Sequence, residues 1–110
     1  MNINFANYGQ ERERIATENE IEIFEILKAV TLADDLQLVR KSDNYVSAVI
    51  GDWDLARFKY TNRAKWISFP LVPPGSQKYR FEEVEDVRKM SDLIFKAFQE
   101  VQTQIKYSSY

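Results

Sequence analysis

The sequence predicts an α+β domain of two layers in the order α-β-β-β(-β)-α, an antiparallel meander sheet with both helices on one face. Three observations carry this. Residues 17–32 place apolar side chains at helical spacing behind a capping signal. Residues 36–69 form short β-rich runs separated by turn residues. Residues 82–106 carry the longest apolar repeat of three and four. With helices at both ends and strands between, the economical packing is helices against one side of a sheet.

Thr17-Glu18-Asn19-Glu20 has the form of a capping box, a hydroxyl followed three residues later by Glu. Ile21, Phe24, Leu27 and Val30 then share a face, which predicts a helix over 18–32 ended near Asp34-Asp35. Leu36–Arg40 reads as a short strand and Lys41-Ser42-Asp43-Asn44 as a turn. Tyr45–Ile50 is a second strand, followed by a turn at Gly51-Asp52. The next runs from Trp53 or Leu55 to Tyr60, turns at Thr61-Asn62-Arg63, and returns over Ala64–Phe69. Pro70 and L-V-P-P-G-S stop the sheet. Val84, Val87, Ser91, Ile94, Phe98, Val101 and Ile105 predict one long helix over 82–106, with Glu82, Glu83, Glu85 and Asp86 at its positive end. Met90, Leu93, Phe95 and Ala97 lie off that stripe, facing the first helix or a partner. The 110 residues fit one domain, with the polar, weakly patterned residues 1–16 an N-terminal arm or a short extra element.

Composition excludes much chemistry. Without cysteine or histidine, no disulfide, zinc finger, Ser-His-Asp triad or Cys-His dyad can be built from one chain. The three glycines lie far apart, so no Gly-rich phosphate loop is present. No run reaches the roughly 18 apolar residues of a membrane helix, and the start of the chain is unlike a signal peptide. A cytoplasmic protein with no membrane partner is the expectation. Net charge is −2 but unevenly spread: −5 over residues 1–35, +5 over 36–81 and −2 over 82–110.

The basic middle contains W-D-L-A-R-F-K-Y-T-N-R-A-K-W-I-S-F, in which Arg57, Lys59, Arg63 and Lys65 alternate with aromatics. In a strand, Arg57 and Lys59 point one way and Phe58 the other, and Phe58 takes the core because an unpaired buried charge is costly. The length of the turn after Tyr60 decides whether Trp66, or Ile67 and Phe69, shares the face of the cations. Arg57, Lys59, Arg63, Lys65, Trp66, Trp53 and Tyr45 are therefore the candidate binding residues. Cations beside Trp and Tyr suit a protein interface, with another protein or a second copy. They also suit single-stranded nucleic acid, where cations hold phosphates and rings stack on bases. The low pI of about 5.2 weighs against nucleic acid. The order of elements is also that of the double-stranded-RNA-binding domain, but the turn where that family places phosphate-gripping lysines reads E-E-V-E-D here.

A metal-dependent nuclease would need an acid two residues before Lys59, and that position is Arg57. Asp34-Asp35 and the acids at 82–86 read as solvated helix ends. No catalytic residue, metal ligand or cofactor is expected. The expectation is a non-catalytic module binding a protein partner or itself as a homodimer through the open sheet face. Nucleic acid is the alternative, and a carboxylate-based metal enzyme the distant one.

Overall fold

A computed structural model describes residues 16–42 and 45–108. The expected arm at 1–16 lies outside these residues except for Ala16, as does the Asp43-Asn44 part of the first turn.

Helix α1 spans Glu18–Thr31. Its capping box closes as the sequence predicts: Thr17 Oγ1 accepts from the Glu20 N–H at 3.2 Å, and Glu20 Oε1 accepts from the Thr17 N–H at 2.9 Å. The helix ends at Leu32, whose φ of 58° is left-handed and whose N–H reaches the Lys28 carbonyl at 2.7 Å. Glycine is the usual residue there. Leu32 is also 81% exposed, so neither backbone preference nor burial accounts for it.

The sheet has five antiparallel strands in sequential order: β1 Leu36–Arg40, β2 Val46–Ile50, β3 Trp53–Tyr60, β4 Lys65–Ser68 and β5 Tyr79–Arg80. Gly51-Asp52 joins β2 to β3, and Gly51 has φ 61°, the left-handed geometry a two-residue hairpin needs at its first position. Thr61–Ala64 joins β3 to β4. The Thr61 N–H donates to the Ala64 carbonyl at 2.9 Å, and Thr61 Oγ1 accepts from the Ala64 N–H at 3.1 Å. This four-residue link puts Lys59 opposite Trp66 and Phe58 opposite Ile67. Ala64 and Phe69, expected in the strand, fall just outside it.

The inward residues Leu36, Leu38, Val46, Ala48, Ala56, Phe58 and Ile67 form one buried cluster with Ile23, Phe24, Ile26 and Leu27 of α1. The same cluster takes in Val87, Ile94, Ala97 and Val101 from the C-terminal helical segments. A polar contact crosses this core between helix and sheet. Arg40, at the end of β1, donates from Nη2 to Glu20 Oε1 at 2.8 Å and from Nη1 to Glu20 Oε2 at 3.2 Å. Both residues are buried, so the carboxylate that caps α1 also fixes the helix to the sheet.

Two expectations need correction. The long C-terminal helix is two segments, a 3₁₀ helix at Val84–Met90 and helix α2 at Ser91–Ser108. Val84, Val87 and Met90 are spaced by three, the period of a 3₁₀ helix, so one side faces the core through both turns. The start also has its own cap: Asp86 Oδ2 accepts from the N–H groups of Glu82 and Glu83 at 3.1 and 3.0 Å. These hydrogen bonds hold the Asp86 carboxyl below its ordinary pKa. Within α2, Ala97 belongs to the buried stripe, whereas Ser91 and Ile105 are exposed. The second correction is β5, a strand that the sequence patterning does not predict.

Candidate functional site

Strand pairing assigns the outer face of the sheet. Ser47 faces Arg57, Arg57 faces Ser68, and Lys59 faces Trp66, so these side chains emerge on one side. Trp66 thus joins the cations, while Ile67 and Phe69 are buried. A β-bulge adds one residue to this face. Ala48 pairs with Ala56 but Val49 with Asp54, leaving Leu55 as the extra residue. In an unbroken strand Asp54 and Arg57, three apart, would point to opposite sides. The bulge brings them together, and Arg57 Nη2 donates to Asp54 Oδ2 at 2.7 Å.

Asp54 is the anchor of this cluster. The Ser47 hydroxyl lies 2.6 Å from Asp54 Oδ1, and Lys41 Nζ lies 3.7 Å from the same oxygen. Burial pushes the Asp54 carboxyl upward. The Ser47 and Arg57 hydrogen bonds and the charges of Arg57 and Lys41 together outweigh it, leaving the carboxyl below its ordinary value of 3.8. Arg57 is not filled by this contact, because its Nε is buried without a hydrogen-bond partner. Such a donor is costly, at roughly 1–3 kcal/mol.

Around these residues lies a groove of about 500 Å³. Arg57, Lys59, Trp66 and Ser68 come from the sheet, Ser42 and Tyr45 from the approach to β2, and Pro70, Gly75, Ser76 and Lys78 from the loop after β4. The Tyr45 and Trp66 rings are 6.0 Å apart and tilted by 39°. Lys78 Nζ sits 4.5 Å from the centre of the Trp66 ring, within cation–π range. Among the described residues, three cations line the groove and no acidic side chain does.

The loop wall is built, not loosely draped. Val72 is buried, and Leu71 packs against the core cluster. The Gly75 N–H donates to the Val72 carbonyl at 2.7 Å, and the Ser76 N–H to the Pro74 carbonyl at 2.8 Å. Gly75 has φ 78°, and a Cβ there would lie 2.7 Å from the Pro70 carbonyl oxygen, so only glycine fits.

The structure therefore brings together Tyr45, Arg57, Lys59 and Trp66 from the expected set. Trp53, opposite Ile50 at the far end of the β2–β3 pair, packs against the core. Lys65 stands over the Tyr60 ring, with Nζ 5.0 Å from its centre. It shares a smaller cavity with the exposed Arg63, near Arg80 and Phe81. These three residues do not line the groove. Two residues of the site carry no signal in the strand pattern: Lys78, a groove residue ten positions beyond β4, and Asp54, which lies behind Arg57 and whose placement depends on the bulge.

Among the described residues, no group of three or more acidic side chains could hold a metal ion, and no helix is long and apolar enough to cross a membrane. Comparison with protein-family models, curated proteins and solved structures finds no match.

Proposed function

We propose that this protein is a non-catalytic binding module that receives a protein segment in the open-face groove. The observation that carries this reading is the union of Trp66, Tyr45 and three cations in a groove with an anchored wall. Aromatic and arginine side chains in a preformed pocket are the elements that dominate protein interfaces. A preformed wall also lowers the ordering cost of binding. A second copy of the chain is one candidate partner, and it predicts a mass that falls on dilution.

The excess of basic lining favours a second reading, in which the groove holds single-stranded nucleic acid. Two features rank it lower. The Trp66 ring already meets Lys78 and Tyr45, so a base must displace one of them to stack. The exposed acids of α1 and of the 3₁₀ start, Glu18, Glu22, Glu82, Glu83 and Glu85, oppose a long polyanion.

The test is a displayed random-peptide library selected on the protein and counter-selected on a Trp66→Ala variant shown to be folded by circular dichroism. Peptides that bind the wild type and not the variant support the reading. Recovery of none, together with oligonucleotide binding that survives physiological salt, would transfer the groove to nucleic acid.

A further inference from the structure

We infer that the occupant of this groove is an extended acidic peptide segment with carboxylates at alternate positions. The inference rests on the protein-binding reading above and specifies its chemistry.

Three features lead to it. First, Arg57, Lys59 and Lys78 line the groove with no acidic side chain among its described residues. Asp54, which contacts the groove through Arg57, is already shared among Arg57, Lys41 and Ser47. The groove therefore keeps uncompensated positive charge within about one Debye length of roughly 8 Å, which an anionic partner would neutralise. Second, the pitch is set by β3. Arg57 and Lys59 are two residues apart on one face of the strand, so they repeat at roughly 7 Å. A peptide lying extended along them repeats its own alternate side chains at the same distance, so carboxylates at every second residue meet the cations in register. Third, Arg57 holds a donor that the protein does not fill. Its Nη2 is committed to Asp54 while Nε has no acceptor. A small shift of the guanidinium would let an incoming carboxylate take Nε, a charge-assisted bond stronger than a neutral one.

Trp66 and Tyr45 complete the site as an apolar surface against which the methylene groups of the acidic side chains lie. Lys78 can leave the Trp66 ring for a carboxylate without breaking any ion pair among the described residues.

The experiment is fluorescence anisotropy with a labelled eight-residue peptide alternating glutamate and serine, alongside its glutamine-for-glutamate counterpart and a labelled oligothymidine. The acidic peptide is expected to bind about tenfold or more tightly than the glutamine form, as one lost charged hydrogen bond predicts. Arg57→Gln and Lys59→Gln are each expected to weaken binding severalfold, and Arg63→Gln, outside the groove, to leave it unchanged. Equal binding of both peptides, or insensitivity to Arg57→Gln and Lys59→Gln, overturns the inference. So does oligothymidine binding more tightly than the peptide at physiological salt. A displayed library that yields groove-dependent peptides without acidic enrichment would sink this inference and leave the protein-binding reading intact.

Discussion

Glu20→Ala tests whether the buried ion pair is what joins α1 to the sheet. The carboxylate receives two bonds from Arg40, at 2.8 and 3.2 Å, and one from the Thr17 N–H at 2.9 Å. Glu20 and Arg40 are only 3% and 8% exposed. Removing one partner of a buried pair costs roughly 3–5 kcal/mol, because the other charge stays buried. Losing the reciprocal cap adds about 0.5–1 kcal/mol. Against this, Arg40 Nη1 keeps a long contact to the Ser42 carbonyl at 3.5 Å. The expected loss is about 3–5 kcal/mol, a large part of the roughly 5–15 kcal/mol that stabilises a domain. Urea unfolding followed by tryptophan fluorescence would show it as a midpoint lower by roughly 1–3 M. The double variant Glu20→Leu, Arg40→Met should return to within about 1 kcal/mol of wild type, since a well-packed apolar pair often replaces a buried ion pair without loss. A Glu20→Ala cost under about 1 kcal/mol, or a double variant equal to the sum of its singles, would show that the buried pair does not join α1 to the sheet.

Three further perturbations follow from the fold. Phe58 is fully buried at the centre of the sheet, so Phe58→Ala should cost about 3–5 kcal/mol in the same assay; a cost below about 1 kcal/mol would contradict its place in the core. Leu32→Gly relieves a left-handed leucine at a cost of about 1–2 kcal/mol, less about 0.4–1 kcal/mol of added unfolded-chain entropy. The melting temperature should therefore rise by a few degrees, and a fall would mean that Leu32 makes a contact worth keeping. Asp54 has a lowered folded pKa, so its ionised form adds stability that is complete above its ordinary value of 3.8 and lost as pH falls through the folded value. The stability gap between wild type and Asp54→Asn should be widest near neutral pH and narrow towards about pH 3. A gap independent of pH would show that the carboxylate charge is not what Asp54 contributes.

The order of helices and of the four longer strands was legible because each rests on a local pattern. The capping box at Thr17–Glu20 and the inward Phe58 show this most directly, and both appear as expected. The side taken by Trp66 was not legible, because it depends on one residue of loop length. Thr61 settles that length through hydrogen bonds to Ala64 that apolar patterning does not reveal. The Leu55 bulge lacks a glycine or proline to announce it, so Asp54 could not be placed beside Arg57. The 3₁₀ start had a signal, the strict spacing of three from Val84 to Met90, which a helical stripe absorbs without trace. Strand β5 is two residues long, too short for any alternation to show. Of the candidate site, the shared face of Arg57 and Lys59 was readable, whereas the side of Trp66 and the loop wall were not, since Lys78 reaches Trp66 only after the chain has turned back.

The loop that walls the groove is also the segment that delivers β5 to the edge of the sheet. Lys78 touches the Trp66 ring, the next two residues, Tyr79 and Arg80, pair with β4, and the Phe81 N–H adds a bond to the Lys65 carbonyl at 3.3 Å. The groove wall at Lys78 and the edge pairing thus lie on neighbouring peptide units. A two-residue strand is the kind of element that opens most readily, with little buried surface to resist local unfolding. A partner seated against Lys78 would hold that strand shut. Occupancy of the groove should then be visible away from the ligand, as slower hydrogen exchange along the outer margin of the sheet at Ile67 and Tyr79. The margin of the sheet would serve as a built-in reporter that needs no label and responds to any partner that seats against the loop.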